Sequence, residues 1–255
     1  MNAQPWKEPL FLPETDSTNL ALRRLAAEGA REGTALWAAR QSAGRGRLGR
    51  SFASPEGGLY YSLLLEQSAQ PERDLLLTPA AAVAVARTLR ALCALESGIK
   101  WPNDLLSSGG GKLCGILTES FLAGGRRFMA LGIGVNLNTR AFPAELDGIA
   151  ESVYRLTGRD TPLADFARSL TRQLQGAVAQ ARDGGAALLA DYRARCVNLG
   201  REVVILRGDT AENARALAVN EDFSLAVVHE DGRREDLRCG EVSLRPRQGV
   251  YKSRA

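Results

Sequence analysis

The chain predicts an α+β fold, a mixed β-sheet with helices, followed by a small C-terminal β-barrel. Over residues 1–198, strand-like and helix-like patterns intermingle. From Gly200 onward the pattern changes to short strands at close spacing. Between the early strands and the later helices, an Ala/Val/Leu-rich run at 79–95 has the composition of a helix buried at the centre of a core. The domains are therefore read as 1–198 and 199–255.

Residues 7–12 alternate weakly and read as a first strand. Asp16, Ser17 and Thr18 offer capping side chains for a helix over 19–28, which Gly29 closes. Strands follow at 34–39 and 59–66, the second apolar on both faces, as a strand covered from both sides is. Pro79 stands near the start of the central helix, where its missing N–H has no intrahelical partner to lose. Segments 99–101, 112–120 and 126–135 read as strands, with a hairpin at 105–111 whose tip is Gly109, Gly110 and Gly111. The passage 136–158 reads as loop, and 163–190 as one or two amphipathic helices broken at Gly184 and Gly185. In the last part, 202–206, 214–219, 224–228, 233–237 and 241–244 read as strands, with Asp231 and Gly232 forming a hairpin turn.

A composition of 45% hydrophobic and 24% charged residues suits a folded globular chain. Residues 1–9 lack the apolar centre of a secretory signal, and uncharged stretches such as 75–86 are too short to cross a bilayer. A cytoplasmic protein with no membrane partner is expected. Cys93, Cys114, Cys196 and Cys239 show no C-x-x-C spacing and His229 is the only histidine, so the cysteines read as reduced packing residues rather than zinc ligands. A formal charge of +4 suits either nucleic acid or anionic small molecules, and the location of the charge decides between them.

The densest basic stretch is Arg45, Arg47 and Arg50, interleaved with Gly44, Gly46 and Gly49 behind Gln41. Its glycines let backbone approach a ligand closely, and its guanidinium groups grip phosphate or carboxylate through paired hydrogen bonds. The spacing is not that of a P-loop. As a bare pattern it also suits a solvated basic loop or an RNA-binding segment. A second cluster is Lys100-Trp101-Pro102-Asn103-Asp104, with Lys112 eight residues beyond. Asp104 suits a Mg²⁺ contact, and Lys112 suits a charge that stabilises a carboxylate attacking phosphorus. The same residues also suit a packed strand end and a turn. Asp16-Ser17-Thr18-Asn19 is by itself a helix cap. The glycines of Gly132-Ile133-Gly134-Val135-Asn136 mark either a close approach of a ligand or another backbone, or a bulge.

Taken in order, these segments resemble the biotin–protein ligase family. Its pattern of D-S-T-N, Q-x-x-G-R-G-R-x-G-R, K-W-P-N-D, K-L-x-G-I-L-x-E and G-I-G-x-N is complete here. Near the end, L-G-R-x-V and G-E-V-S-L-R resemble the family's SH3-like barrel, so the likeness covers nearly the whole chain. It is to the form without an N-terminal helix-turn-helix, so sequence-specific DNA binding is not expected. The resemblance implies a sheet like that of class II aminoacyl-tRNA synthetases, as a catalytic domain over 1–198, and an SH3-like barrel over 199–255.

It also implies an ATP-dependent ligase that uses Mg²⁺, activates biotin to biotinyl-5′-AMP and transfers it to a lysine of a biotin carboxyl carrier protein, acting as a monomer or homodimer. Carried over residue by residue, Ser17, Thr18, Asn19, Gln41, Gly44, Arg45, Gly46, Arg47, Lys112 and Gly115 match biotin contacts. Arg45, Arg47, Arg50, Phe52, Lys100, Asn103, Asp104 and Asn136 match contacts to ATP or the adenylate. Lys112, Arg47 and Asp104 match the catalytic group, with Mg²⁺ near Asp104. Phe52 stands where the family carries tryptophan, and the hairpin at 105–111 is one residue longer than the family's. Lipoate–protein ligases and octanoyl transferases share the related fold and acyl chemistry. Gly-Arg-Gly-Arg combined with Trp-Pro-Asn-Asp and the terminal barrel favours biotin. Against a nucleic-acid-binding module stands the dispersal of Asp and Glu through the C-terminal strands, which leaves no continuous basic face.

Overall fold

The computed structural model describes residues 6–238 and the backbone of 243–246. Cys239 and the first residues of the strand read at 241–244 lie outside the described residues. Seven strands form one mixed sheet: β1 (Leu10–Leu12), β2 (Ala35–Ala38), β3 (Leu59–Glu66), β4 (Gly98–Lys100), β5 (Asp104–Leu106), β6 (Lys112–Ala123) and β7 (Arg126–Val135). Their order is β1-β2-β3-β7-β6-β5-β4, with β1 parallel to β2 and the remaining pairs antiparallel.

Helix α1 (Thr18–Ala27) covers one face, packing Leu22 with Leu36, Leu64 and Phe128. The opposite face, with Leu63, Leu65 and Leu131, packs into the core formed by α3 (Leu77–Cys93), α5 (Leu163–Arg182) and α6 (Ala186–Arg195). Cover on both faces is why β3 is buried from Leu59 to Leu65 and mostly apolar. The stretch 71–93, which also includes the short α2 (Pro71–Asp74), is long and apolar enough to cross a membrane. However, 67% of its most apolar window is buried inside the protein, where α3 forms the core helix. That helix begins two residues before Pro79 and stops at Cys93 because Ala94 turns left-handed, with φ of 51°.

Three local readings need correction. The segment read wholly as a hairpin at 105–111 begins as strand β5. Residues 101–103 form a tight turn that brings Lys100 opposite Asp104 and adds a strand to the sheet. The passage read as loop at 136–158 contains α4 (Val153–Thr157), capped by the Ser152 hydroxyl on the Arg155 N–H at 3.1 Å and closed by left-handed Gly158. The helix break at Gly184 and Gly185 is present with positive φ at both residues, but α6 runs on to Arg195.

The chain ends in a second, antiparallel sheet of β8 (Glu202–Arg207), β9 (Thr210–Val219), β10 (Leu225–His229), β11 (Arg234–Leu237) and β12 (Ser243–Pro246), ordered β11-β10-β9-β8-β12. Trp101 joins the two sheets. Its backbone N–H donates to Asn198 Oδ1 at 2.7 Å, and its indole N–H donates to the Phe223 carbonyl at 2.9 Å. The Phe223 ring packs edge-to-face with Tyr192, with ring centroids 5.4 Å apart.

Candidate active site

A cavity of about 210 Å³ opens over the middle of the large sheet, between the start of α1, the glycine–arginine loop and the turn from β4 to β5. Leu206 on β8 adds a wall from the second sheet. The floor is made where Gly115 pairs with Gly134 and Leu117 with Gly132, in unbroken β6–β7 register. No bulge is present there, so the glycines answer to close approach. A Cβ at Gly132 would lie 2.5 Å from Asn19 Oδ1, and one at Gly134 would lie 2.5 Å from the Phe52 ring. A Cβ at Gly115 would lie 3.0 Å from Phe52 and 3.1 Å from Lys112 Nζ. Three side chains of the site thus rest where these strands carry none.

The start of α1 is a polar cluster turned toward the cavity rather than the ordinary helix cap its sequence suggests. Ser17 occupies the cap position without a side-chain cap bond, while Asp16 accepts from the Ser17 N–H at 2.7 Å and pairs with Arg24 at 2.8 Å. That guanidinium holds the Asp16 carboxyl below the usual carboxylate range. The Thr18 N–H donates instead to Gln41 Oε1, at 2.8 Å. Ser62 Oγ, buried on β3, lies 2.6 Å from Asn19 Oδ1 and 2.8 Å from Thr18 Oγ1. The Asn19 amide donates to Glu119 Oε2 at 2.8 Å, and Gln41 Nε2 donates to Ser54 Oγ at 2.8 Å. Donors and acceptors on one wall are therefore fixed in direction before anything binds.

The glycine–arginine loop is an excursion closed by its own backbone hydrogen bonds. The Phe52 N–H donates to the Gly44 carbonyl at 2.9 Å and the Gly46 N–H to the Arg50 carbonyl at 2.7 Å, around a turn with Leu48 and Gly49 at positive φ. Gly44 stands at its base, where a Cβ would meet the Phe52 carbonyl at 2.4 Å. Arg47 reaches across to Asn103 Oδ1 at 3.1 Å, and Arg45 pairs with Glu119 at 3.3 Å.

Opposite the loop, Lys112 Nζ lies 2.7 Å from Asp104 Oδ1. Asp104 pairs with Gly115 across β5 and β6, and the bare backbone of Gly115 leaves room for the lysine side chain beside it. The Lys112 backbone is held by its N–H to the Ile149 carbonyl at 2.8 Å and by the Asn136 amide on its own carbonyl at 3.1 Å. Cys114 faces the core beneath, where burial pushes its thiol up.

Of the residues matched to the family's site, Ser17, Thr18, Asn19, Gln41, Arg45, Gly46, Arg47, Arg50, Phe52, Lys100, Asn103, Asp104, Lys112 and Gly115 line the cavity. Gly44 and Asn136 do not: the first packs at the loop base and the second supports the Lys112 strand. Ser62, Ser54, Glu119 and Leu206 belong to the site without having been singled out. Among the described lining residues, five cations face the single carboxylate of Asp104, an electrostatic setting for a polyanion. No group of three or more His, Cys, Asp or Glu side chains that would cage a metal is present among the described residues.

The sequence model of the biotin/lipoate A/B protein ligase family matches residues 11–138. A bifunctional ligase/repressor of Bacillus spizizenii is 41% identical over 146 residues, which span 56% of this chain and 45% of that protein. A biotin–[acetyl-CoA-carboxylase] ligase of Paracoccus denitrificans is 33% identical over 91% of this chain and 98% of its own length. In three dimensions, the biotin protein ligase of Aquifex aeolicus in complex with biotin and ATP superposes with a TM-score of 0.81 at 29% identity. That match covers 94% of this chain and all of the Aquifex chain.

Proposed function

The chain belongs to the biotin/lipoate A/B protein ligase family, and on that premise we propose that it is an ATP-dependent biotin–protein ligase that forms biotinyl-5′-AMP and passes biotin to a lysine of a biotin carboxyl carrier protein. The observation that carries this reading is the meeting of two surfaces in one cavity. One is the amide and hydroxyl wall of Ser17, Thr18, Asn19 and Gln41; the other is the cationic rim of Arg45, Arg47, Arg50, Lys100 and Lys112. The wall suits a neutral ureido ring, which both donates and accepts hydrogen bonds. The rim suits a carboxylate brought against a triphosphate. The names of the Paracoccus relative and of the biotin- and ATP-bound Aquifex structure support the same substrates.

In the first step the biotin carboxylate attacks the α-phosphorus of ATP and pyrophosphate leaves. Two anions must meet, and Lys112 and Arg47, both lining the cavity, offset their repulsion. Asp104 and Asn103 hold those cations in place at 2.7 and 3.1 Å. Mg²⁺ is usually held by substrate phosphates with one or two protein carboxylates. Asp104, the sole carboxylate among the described lining residues, fits that arrangement. When bound, the ion supplies further positive charge to the phosphate oxygens. In the second step the acceptor lysine amine attacks the acyl carbonyl and AMP leaves, while the glycine–arginine loop shields the mixed anhydride from water.

We place the catalytic domain at 1–198 and read the second sheet as an SH3-like barrel over 199–255, in a protein that works in the cytoplasm. Lipoate is the alternative substrate within the family. Incubating the protein with ATP, Mg²⁺ and either acid, and measuring acid-dependent pyrophosphate release, separates the two.

A further inference from the structure

We propose that Glu119 is a positioning residue that clamps the glycine–arginine loop through Arg45 and competes with the anionic ligand for that guanidinium; the identity of the ligand rests on the ligase reading above. Glu119 sits on β6 beside the cavity, and neither step of the proposed reaction uses it. Its carboxylate serves two parts of the site at once. Oε2 accepts from the Asn19 amide at 2.8 Å, while Oε1 lies 3.3 Å from Arg45 Nη1. Asn19 Oδ1 is meanwhile held 2.6 Å from the Ser62 hydroxyl, so both ends of the amide are committed and its orientation is fixed.

Arg45 lines the cavity, and Glu119 is the partner that ties its side chain to the sheet. The pair is half-exposed, with 48% of the arginine side chain and 22% of the glutamate side chain accessible, so a stronger anion can draw the arginine away. Glu119 therefore stabilises the closed loop when no anion is present and opposes full engagement of Arg45 by an anion. Its hold on Asn19 persists in both states.

The two roles separate by substitution. Glu119→Gln keeps an acceptor for Asn19 and removes the charge facing Arg45, whereas Glu119→Ala removes both. Without added ligand, trypsin should cleave after Arg47 and Arg50 about two- to fivefold faster in Glu119→Gln than in wild type, the range expected for a half-exposed ion pair. In an Arg45→Met background the same substitution should change nothing. Biotinyl-AMP should leave Glu119→Gln about two- to fivefold more slowly than wild type, again only when Arg45 is present. The KM for biotin should rise in Glu119→Ala relative to Glu119→Gln, because only the alanine variant leaves the Asn19 amide without its acceptor. Equal trypsin rates in wild type and Glu119→Gln, or an effect that survives Arg45→Met, would overturn the clamp. Wild-type protein that fails to hold biotinyl-AMP would contradict the ligase reading instead, and the trypsin comparison would still decide the role of Glu119.

Discussion

Lys112 Nζ lies 2.7 Å from Asp104 Oδ1, and the backbone of Gly115 leaves the room beside them that the lysine side chain occupies. The pair keeps a flexible ammonium aimed into the cavity, at a point where both partners line it. Lys112→Met should therefore leave the fold intact and slow adenylate formation by about 10²- to 10³-fold, as expected when a charge aimed at a reacting centre is lost. Biotin-dependent pyrophosphate release alongside a thermal melt checks this. Release at wild-type speed would remove Lys112 from the catalytic group.

Arg47 bridges the loop to Asn103 at 3.1 Å. In Arg47→Gly that bridge is lost, and the added glycine raises the entropic cost of ordering the loop. A hydrogen bond to a charged group contributes about 1.5–3 kcal/mol, so biotinyl-AMP should be held about 10- to 150-fold less tightly, mostly through a faster off-rate. The released anhydride should then label bystander albumin, read on a streptavidin blot at equal enzyme. Acceptor-only labelling with an unchanged off-rate would remove Arg47 as the tether.

Gly132 makes room for Asn19. The methyl group of Gly132→Ala would meet Asn19 Oδ1 at 2.5 Å and force the amide out of line with Ser62 and Glu119. Crowding of this kind costs about 1–3 kcal/mol. The KM for biotin should rise about tenfold or more while the KM for ATP holds. A biotin KM equal to that of wild type would show that Asn19 does not orient the ring.

The Asp16–Arg24 pair predicts a pH signature in stability. Because the folded Asp16 pKa lies below the ordinary carboxylate value of 3.8, the pair stabilises the fold fully above that value and progressively less as pH falls through the lowered one. The pair is substantially exposed, so its contribution at neutral pH is roughly 0.2–1 kcal/mol. Urea melts of wild type and Asp16→Asn should differ by about that amount at neutral pH and converge on acidification below 3.8. A gap that widens in acid would contradict the assignment.

What the sequence conveyed well was local. The break between α5 and α6 follows from two adjacent glycines, and the glycine–arginine loop could be read from its own residues. Strand β5 was missed because three residues cannot display a period and a three-residue turn precedes it. Helix α4 is one turn and a half long, although Ser152 and Gly158 at its two ends were the available signal. The partners of α1 were invisible for a different reason. Gln41 lies 23 residues from Thr18, and Glu119 lies 100 residues from Asn19, so only the folded sheet brings them together. Glu119 stood in the family-like motif, but nothing near it in the chain says which side chains it holds.

In the proposed reaction one cavity activates biotin with ATP and hands it to a carrier lysine. The most direct measurement is incorporation of radiolabelled biotin into a biotin carboxyl carrier domain, with ATP and Mg²⁺, followed by mapping of the modified residue. Labelling should fall on a single carrier lysine, require ATP, release pyrophosphate in step with biotin uptake and fail when that lysine is replaced. Absence of biotin incorporation under these conditions, or equal incorporation of lipoate in place of biotin, would contradict it.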